Sequence, residues 1–473
     1  MYLLLLGGAT VAGNLAEYLI KHRRRKGETL ASAQFGKNKD LKGLLGADGV
    51  QLSKKYRLSQ KISYEGICII GPTGSGKSSA IMASNLLNDE LIAGSFVISD
   101  PKGELWKLCS NYLTYKGFKC IMFNPSSPLN SMQYNPLEAC RTAEEVTQLA
   151  ETILLNGDLS VKLQSGRSSN NGEWVQMATP LLSASLLYCK AIGYPLNSIS
   201  NALKFLINNP MKDIDTLFNN ATEETREQYS IFKTVAGSEK TASSILITLA
   251  SGLKLFLDSN VIKTTVKMGF TGELLRKERI ALFICIPERK ADTYSPLTAT
   301  IYSQLISHSM DYFGNPITWF WDEFANIGLI PSFTKVISTT RSREMSFVVC
   351  LQDLSQLINI YGRSNAMTIL NNLKTKAAFS SLTDLETLEY ISNLCGETQV
   401  LMSSSSKTDS NKGSTTESYQ RRKLITADEV RRLEADEILL ILQNRKPLKD
   451  KVNTYYTQSK YISNIIKNEL PIT

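Results

Sequence analysis

Residues 71–79 have the types and spacing to hold a triphosphate. Gly71, Pro72, Thr73, Gly74, Ser75, Gly76, Lys77, Ser78 and Ser79 fit the pattern G-x-x-x-x-G-K-[ST]. Glycines let the backbone fold back until its N–H groups converge on one centre, and a following helix adds partial positive charge there. In that geometry Lys77 reaches the β- and γ-phosphates and Ser78 holds Mg²⁺. A second group stands far downstream, where Trp319-Phe320-Trp321 runs into Asp322 and Glu323. In nucleotide hydrolases the first such acid holds the Mg²⁺ shell, and the second can polarise the attacking water. Paired acids suit a hydrolytic motor, whereas a kinase or a G-protein switch does not need the second.

Three further groups could complete such a site. Gln352 follows the apolar run Ser346–Leu351, where its amide could sense the γ-phosphate or position water. Arg341 and Arg343 precede the same run. An arginine there could stabilise transition-state charge in a neighbouring subunit's site, and spacing alone does not separate the two. Asp100, Lys102 and Glu104 follow the apolar run Ser95–Ser99 and could support the site or a subunit interface. Each also has a plainer reading, as a strand-end amide, a solvated cation or a capped turn.

These residues need elements to position them. Ile67–Ile70 reads as a strand entering the loop, and Ser78–Ile92 as the helix leaving it. Further strands are expected at 95–99, 118–123, 279–287, 317–321, 346–351 and 377–382, alternating with helices. That alternation predicts an α/β fold with a doubly wound, mainly parallel sheet. Its ligands bind at the carboxyl edge, where the charged groups above fall. Residues 61–140 would be the first part of the nucleotide-binding domain and 261–473 the second. Residues 141–260 show helical periods and few strand candidates, so they read as an inserted all-alpha domain. Residues 403–418 are mostly Ser, Thr, Lys and Gly and read as a mobile surface loop. A short helix at 427–433 and runs at 438–442 and 450–456 close the chain, the two runs as a sheet-edge hairpin.

Residues 1–20 are mostly apolar, and Lys21-His22-Arg23-Arg24-Arg25-Lys26 follow them. Positive charge after an apolar run marks the cytoplasmic side of a membrane helix rather than a secretory signal. We therefore expect a short N-terminal membrane anchor over 1–20 and a basic connector over 21–60. The 473 residues are 42% hydrophobic and carry net charge +9, enough for a large core and suited to an anionic partner. The eight cysteines form no C-x-x-C pair and there are two histidines. This excludes zinc-ribbon sites, a disulfide framework and histidine triads, and points to a reducing compartment.

Taken together, GPTGSGKS, SDPKGEL, WDEFANIGLIPSF, RSRE and LQDLSQL resemble the type IV coupling proteins, the membrane-anchored DNA-translocating ATPases of conjugation and type IV secretion. The resemblance covers nearly the whole chain, including residues 279–288 and LITADEVRRL near the end. It implies a RecA-like P-loop NTPase with an inserted all-alpha domain, ATP and Mg²⁺ as ligands, and homohexameric rings with sites between subunits. Lys77 and Ser78 would bind nucleotide, and Asp322 and Glu323 would be the metal and water acids. Arg341 matches the family's arginine finger better than Arg343, and Gln352 its sensor-like glutamine. The implied partners are DNA, as a relaxase-bound single strand, or protein substrates, together with the secretion channel and the inner membrane of a bacterial cell, on its cytoplasmic side. Many members carry two membrane helices. The single candidate here implies either a reduced anchor or a longer natural start. A DNA translocase for segregation or packaging without export, and a nucleotide-gated substrate receptor with little motor activity, are the competing functions.

Overall fold

The computed structural model describes residues 31–165, 172–407 and 413–466. The expected anchor at 1–20 and the basic run after it lie outside the described residues. Among the described residues, no helix is long and apolar enough to cross a membrane.

Among the described residues, eleven strands occur in chain order: β1 (Ile67–Ile70), β2 (Ser95–Ser99), β3 (Lys119–Phe123), β4 (Ile280–Ile284), β5 (Ile317–Trp321), β6 (Met345–Leu351), β7 (Thr375–Phe379), β8 (Glu397–Lys407), β9 (Gly413–Lys423), β10 (Glu437–Leu442) and β11 (Leu448–Lys451). Nine form one sheet in the order β11-β10-β7-β1-β6-β5-β2-β4-β3. From β7 to β3 every pairing is parallel. β10 and β11 add an antiparallel edge. Parallel pairs need long crossovers, which helices supply on both faces.

The central strands are buried on both sides, so their side chains alternate between two cores. Cys68, Ile70, Val97, Trp319, Trp321 and Phe347 belong to one. Ile67, Ile69, Phe96, Ile98, Phe320 and Val348 belong to the other. The second core also takes Ile81 and Leu86, behind the phosphate loop, and Leu105 and Leu113 of the Glu104–Tyr115 helix. This explains why the strands read as continuous apolar runs rather than as alternating ones.

Between β3 and β4 the described chain is helical, with long helices at Ala143–Ser165 and Gly172–Ile192 and shorter ones through Glu239–Gly252. The first core runs from these helices into the sheet. The Ala291–Met310 helix packs along Ala143–Ser165 and joins the two parts. A Cβ at Gly157 would lie 2.8 Å from the Gly252 carbonyl oxygen, so glycine lets two helix backbones touch there. Pro296 lies inside the Ala291–Met310 helix and cannot donate to the Asp292 carbonyl. The Ser295 hydroxyl donates to that carbonyl instead, at 2.8 Å. The helix therefore begins before the proline, at Ala291.

Three expectations are corrected. Residues 403–418 fall largely within β8 and β9, which pair antiparallel from Glu397↔Lys423 to Lys407↔Gly413. A two-stranded ribbon satisfies its backbone by local pairing without burying a core, so polar composition did not reveal it. The connector at 21–60 is, from residue 31 on, largely part of the fold. Leu41, Leu44, Val50, Leu52, Tyr56 and Leu58 are buried in the second core, and the Ser53 hydroxyl donates to Asp450 at 2.6 Å. These apolar positions follow neither a helical nor a strand period, which hid their role. At the chain's end, the run expected at 450–456 is a strand only over Leu448–Lys451, followed by a 3₁₀ turn at Tyr455–Thr457.

Candidate active site

Strand register gathers the site. Ile70 pairs with Leu351, while Trp321 pairs with Val349 and with Ser99. The residues that follow, Gly71, Gln352, Asp322 and Asp100, therefore meet at one edge of the sheet. β6 stands between β1 and β5, which sets Gln352 between the phosphate loop and the acids.

The loop turns sharply because Gly74 and Gly76 take φ of 80° and 87°, where a side chain would be strained. The Gly71 N–H donates to the Leu351 carbonyl at 3.1 Å, tying the loop's start to β6. Lys77 is 7% exposed. Its ammonium donates to the Gly71 carbonyl and to the Pro72 carbonyl, the latter at 3.0 Å. Ser78 Oγ sits in the fork of the Asp322 carboxylate, 2.6 and 2.7 Å from its two oxygens, and donates to it. Burial pushes the Asp322 carboxyl above the usual range, opposed by the Ser78 hydroxyl, Lys77 and Lys102.

Glu323 is buried beside it. Gln352 Nε2 donates to Glu323 Oε2 at 3.1 Å. Oε1 is buried and has no hydrogen-bond partner among the described residues. Burial raises the Glu323 carboxyl too, against the pull of Gln352 and Lys77. A buried carboxylate with one oxygen fixed and the other unsatisfied is built to accept a proton. The Ser78–Asp322 pair offers hard oxygens of the kind Mg²⁺ prefers. No cluster of three or more His, Cys, Asp or Glu able to hold a metal exists among the described residues. A cation here would complete its shell with phosphate oxygens and water, as Mg²⁺ characteristically does.

Asp100, Lys102 and Glu104 border the same edge. Asp100 Oδ2 accepts from the Trp106 N–H at 2.8 Å, capping the start of the Glu104–Tyr115 helix. Burial pushes its pKa up to about 6, against these backbone N–H groups. Lys102 lies 3.9 Å from Glu288. A cavity of about 450 Å³ is lined by Ser78, Ser79, Asp322, Leu105, Tyr455 and Tyr456 among others. The tyrosine pair was expected only as a strand end. An aromatic doublet beside a short apolar helix was its one signal in the sequence.

Arg341 is not at this edge. It lies in the 3₁₀ turn Thr340–Arg343, before the amino end of β6, whereas the phosphate loop follows the carboxyl end of β1. The length of β6, about 20 Å at 3.3 Å per residue, separates the two, well beyond an arginine's reach. Arg341 Nη1 pairs with Glu65 Oε1 at 2.9 Å, and the arginine side chain is 57% exposed. Arg343 instead stacks on Phe313, 4.8 Å from the ring centre. Neither Glu65 nor this difference between the arginines was visible from spacing.

Residues 16–472 match the family described as "Type IV secretory system Conjugative DNA transfer". The chain is 26% identical over 401 residues to Protein VirD4 of Rhizobium radiobacter, covering 82% of this chain and 56% of that protein. It is 24% identical over 406 residues to the conjugal transfer protein TraG of Escherichia coli, covering 78% of this chain and 62% of that one. The chain thus spans little more than half the length of these relatives. Among solved structures, the plasmid coupling protein TrwB in complex with ADP and Mg²⁺ superposes with a TM-score of 0.68, covering 90% of this chain and 96% of that one at 18% identity. The shared fold is that of a RecA-like P-loop NTPase with a mainly parallel sheet.

Proposed function

We propose, for a chain that belongs to the type IV secretory system conjugative DNA transfer family, that it is an ATP-hydrolysing motor. On this reading it pumps DNA, carried as a relaxase-bound single strand, or protein substrates into a type IV secretion channel. The observation that carries the reading is the Ser78 hydroxyl in the fork of Asp322 with the Glu323–Gln352 pair beside it, all at one sheet edge.

Each group has a step. The loop's N–H groups and Ser79 cradle the phosphates, and Lys77 leaves the Gly71 and Pro72 carbonyls to neutralise the outer oxygens. Ser78 and Asp322 would hold Mg²⁺, which would supply charge neutralisation to the triphosphate. Glu323, steadied by Gln352, accepts the proton of the attacking water. A complete site then needs a cation that its own subunit does not supply. Arg341 is half-exposed at the far edge of the sheet, so it serves a neighbour's phosphates and makes the working unit a closed ring, which we take to be a homohexamer. Net charge +9 suits a DNA backbone as cargo, with salt-dependent binding. The ring would work on the cytoplasmic side of a bacterial inner membrane, where the channel begins.

The test pairs nucleotide binding with turnover. Glu323→Gln is expected to bind ATP normally and to lose about 10²–10⁴-fold in hydrolysis. In cells, Lys77→Ala is expected to abolish transfer of both DNA and protein cargo. Hydrolysis by Glu323→Gln at the normal rate, or transfer supported by Lys77→Ala, would overturn the motor reading.

A further inference from the structure

We propose that Glu65 is a positioning residue that holds the Arg341 guanidinium ready for the neighbouring subunit's phosphates. The proposal rests on the reading of Arg341 as a residue acting between subunits. It adds what prepares that arginine.

Glu65 occupies the turn before β1 and is held there by its backbone. The Glu65 N–H donates to the Ile62 carbonyl at 3.0 Å, and the Glu65 carbonyl accepts from the Lys374 N–H at 3.0 Å. Its side chain is 13% exposed, and both carboxylate oxygens are in use. Oε1 takes Arg341, and Oε2 accepts from Gln443 Nε2. Gln443 is itself fixed: its N–H donates to the Lys374 carbonyl at 3.1 Å, and it takes φ of 50°, unusual for a residue other than glycine. A side chain held in a sparsely populated backbone conformation is the mark of an over-determined position.

The arginine's own backbone is bolted down separately. Arg276 is 3% exposed and donates from three nitrogens to the carbonyls of Ser309, Asn315 and Arg343. The last of these, at 2.7 Å, locks the turn that carries Arg341. Glu344 closes that turn in the left-handed region, and its carbonyl accepts from the Ile317 N–H at 3.1 Å. Arg343, which shares the turn, is withdrawn onto Phe313. One guanidinium is therefore left at the surface, with its base and one nitrogen fixed.

This arrangement has a physical purpose. An arginine has many rotamers, and ordering it at the moment of reaction would add to the barrier. Glu65 orders it beforehand. A half-exposed ion pair is weak enough to yield when phosphate approaches. Glu65 then keeps its bond from Gln443, so the departing arginine does not leave a buried carboxylate bare.

The experiment is a double-mutant cycle on assembled full-length protein, reading kcat and ATP affinity separately. Glu65→Gln keeps the shape and removes the charge. It is expected to lower kcat about 3- to 10-fold, the scale of ordering one long side chain, with ATP affinity unchanged. Glu65→Asp is expected to fall between. In the Arg341→Ala background, Glu65→Gln is expected to have no further effect, because it acts only through that arginine. Unchanged kcat in Glu65→Gln, a raised kcat that would mark Glu65 as a brake, or a full additional loss in the Arg341→Ala background would each overturn the proposal. An Arg341→Ala protein that hydrolyses normally would instead overturn the reading of Arg341 beneath it.

Discussion

Mixing two dead proteins gives the sharpest test of where the arginine acts. Arg341→Ala removes the cation and Glu323→Gln removes the base, and each alone is expected to lose about 10²-fold or more in turnover. On the assignment proposed above, a complete site takes Glu323 from the subunit that binds nucleotide and Arg341 from its neighbour. In an equal mixture that assembles at random, a junction draws the Arg341→Ala chain on the first side and the Glu323→Gln chain on the second in about one quarter of cases. Those junctions contain both wild-type groups. Steady-state ATPase activity should therefore recover to about a quarter of the wild-type rate per junction, from a background near zero. An arginine used within its own subunit would give no recovery, and the length of β6 between Arg341 and the phosphate loop argues against that use. If mixed rings form, as verified by co-purification of two tags, and no activity returns, the separation of arginine and loop argued here is wrong for the working assembly.

The remaining expectations concern the edge of the same site. Burial raises the Asp100 pKa to about 6, from an ordinary 3.8. The folded state thus binds that proton more tightly than the unfolded one, and stability falls as pH rises from about 4 to about 6, with the full cost present above that. Asp100→Asn should be more stable than the wild type at pH 7 by about 1–3 kcal/mol and equal to it near pH 4, as read by urea unfolding of nucleotide-free protein. Greater stability of the wild type at pH 7 would count against it. Tyr456 is 60% exposed and lines the cavity beside Ser79, and we expect it to stack on the base of a bound nucleotide. Tyr456→Ala should weaken ATP about 5- to 150-fold and leave inorganic tripolyphosphate unchanged. Equal effects on both ligands would refute a contact with the base.

The features legible in the sequence were those that the backbone itself demands. Gly74 and Gly76 are spelled out because no other residue takes their turn cheaply. Asp322 and Glu323 are legible because they end Ile317–Trp321, a run buried on both faces. What stayed hidden depends on which strands lie side by side. Glu65 belongs to no motif and meets Arg341 only because β1 pairs with β6. Arg341 and Arg343 have the same chemistry, and Phe313 decides between them. The irregular apolar residues from Leu41 to Leu58 carry no period, and the ribbon of β8 and β9 needs no core.

The placement of β6 has a mechanical consequence. It is seven residues long, fully buried and hydrogen-bonded to strands on both sides. Such an element shifts as a rod or not at all. Gln352 at one tip touches the base of its own subunit, and Arg341 just before the other tip belongs, on the assignment proposed here, to the next subunit's phosphates. Any displacement of β6 along its own axis would therefore move both tips together, with no hinge between them.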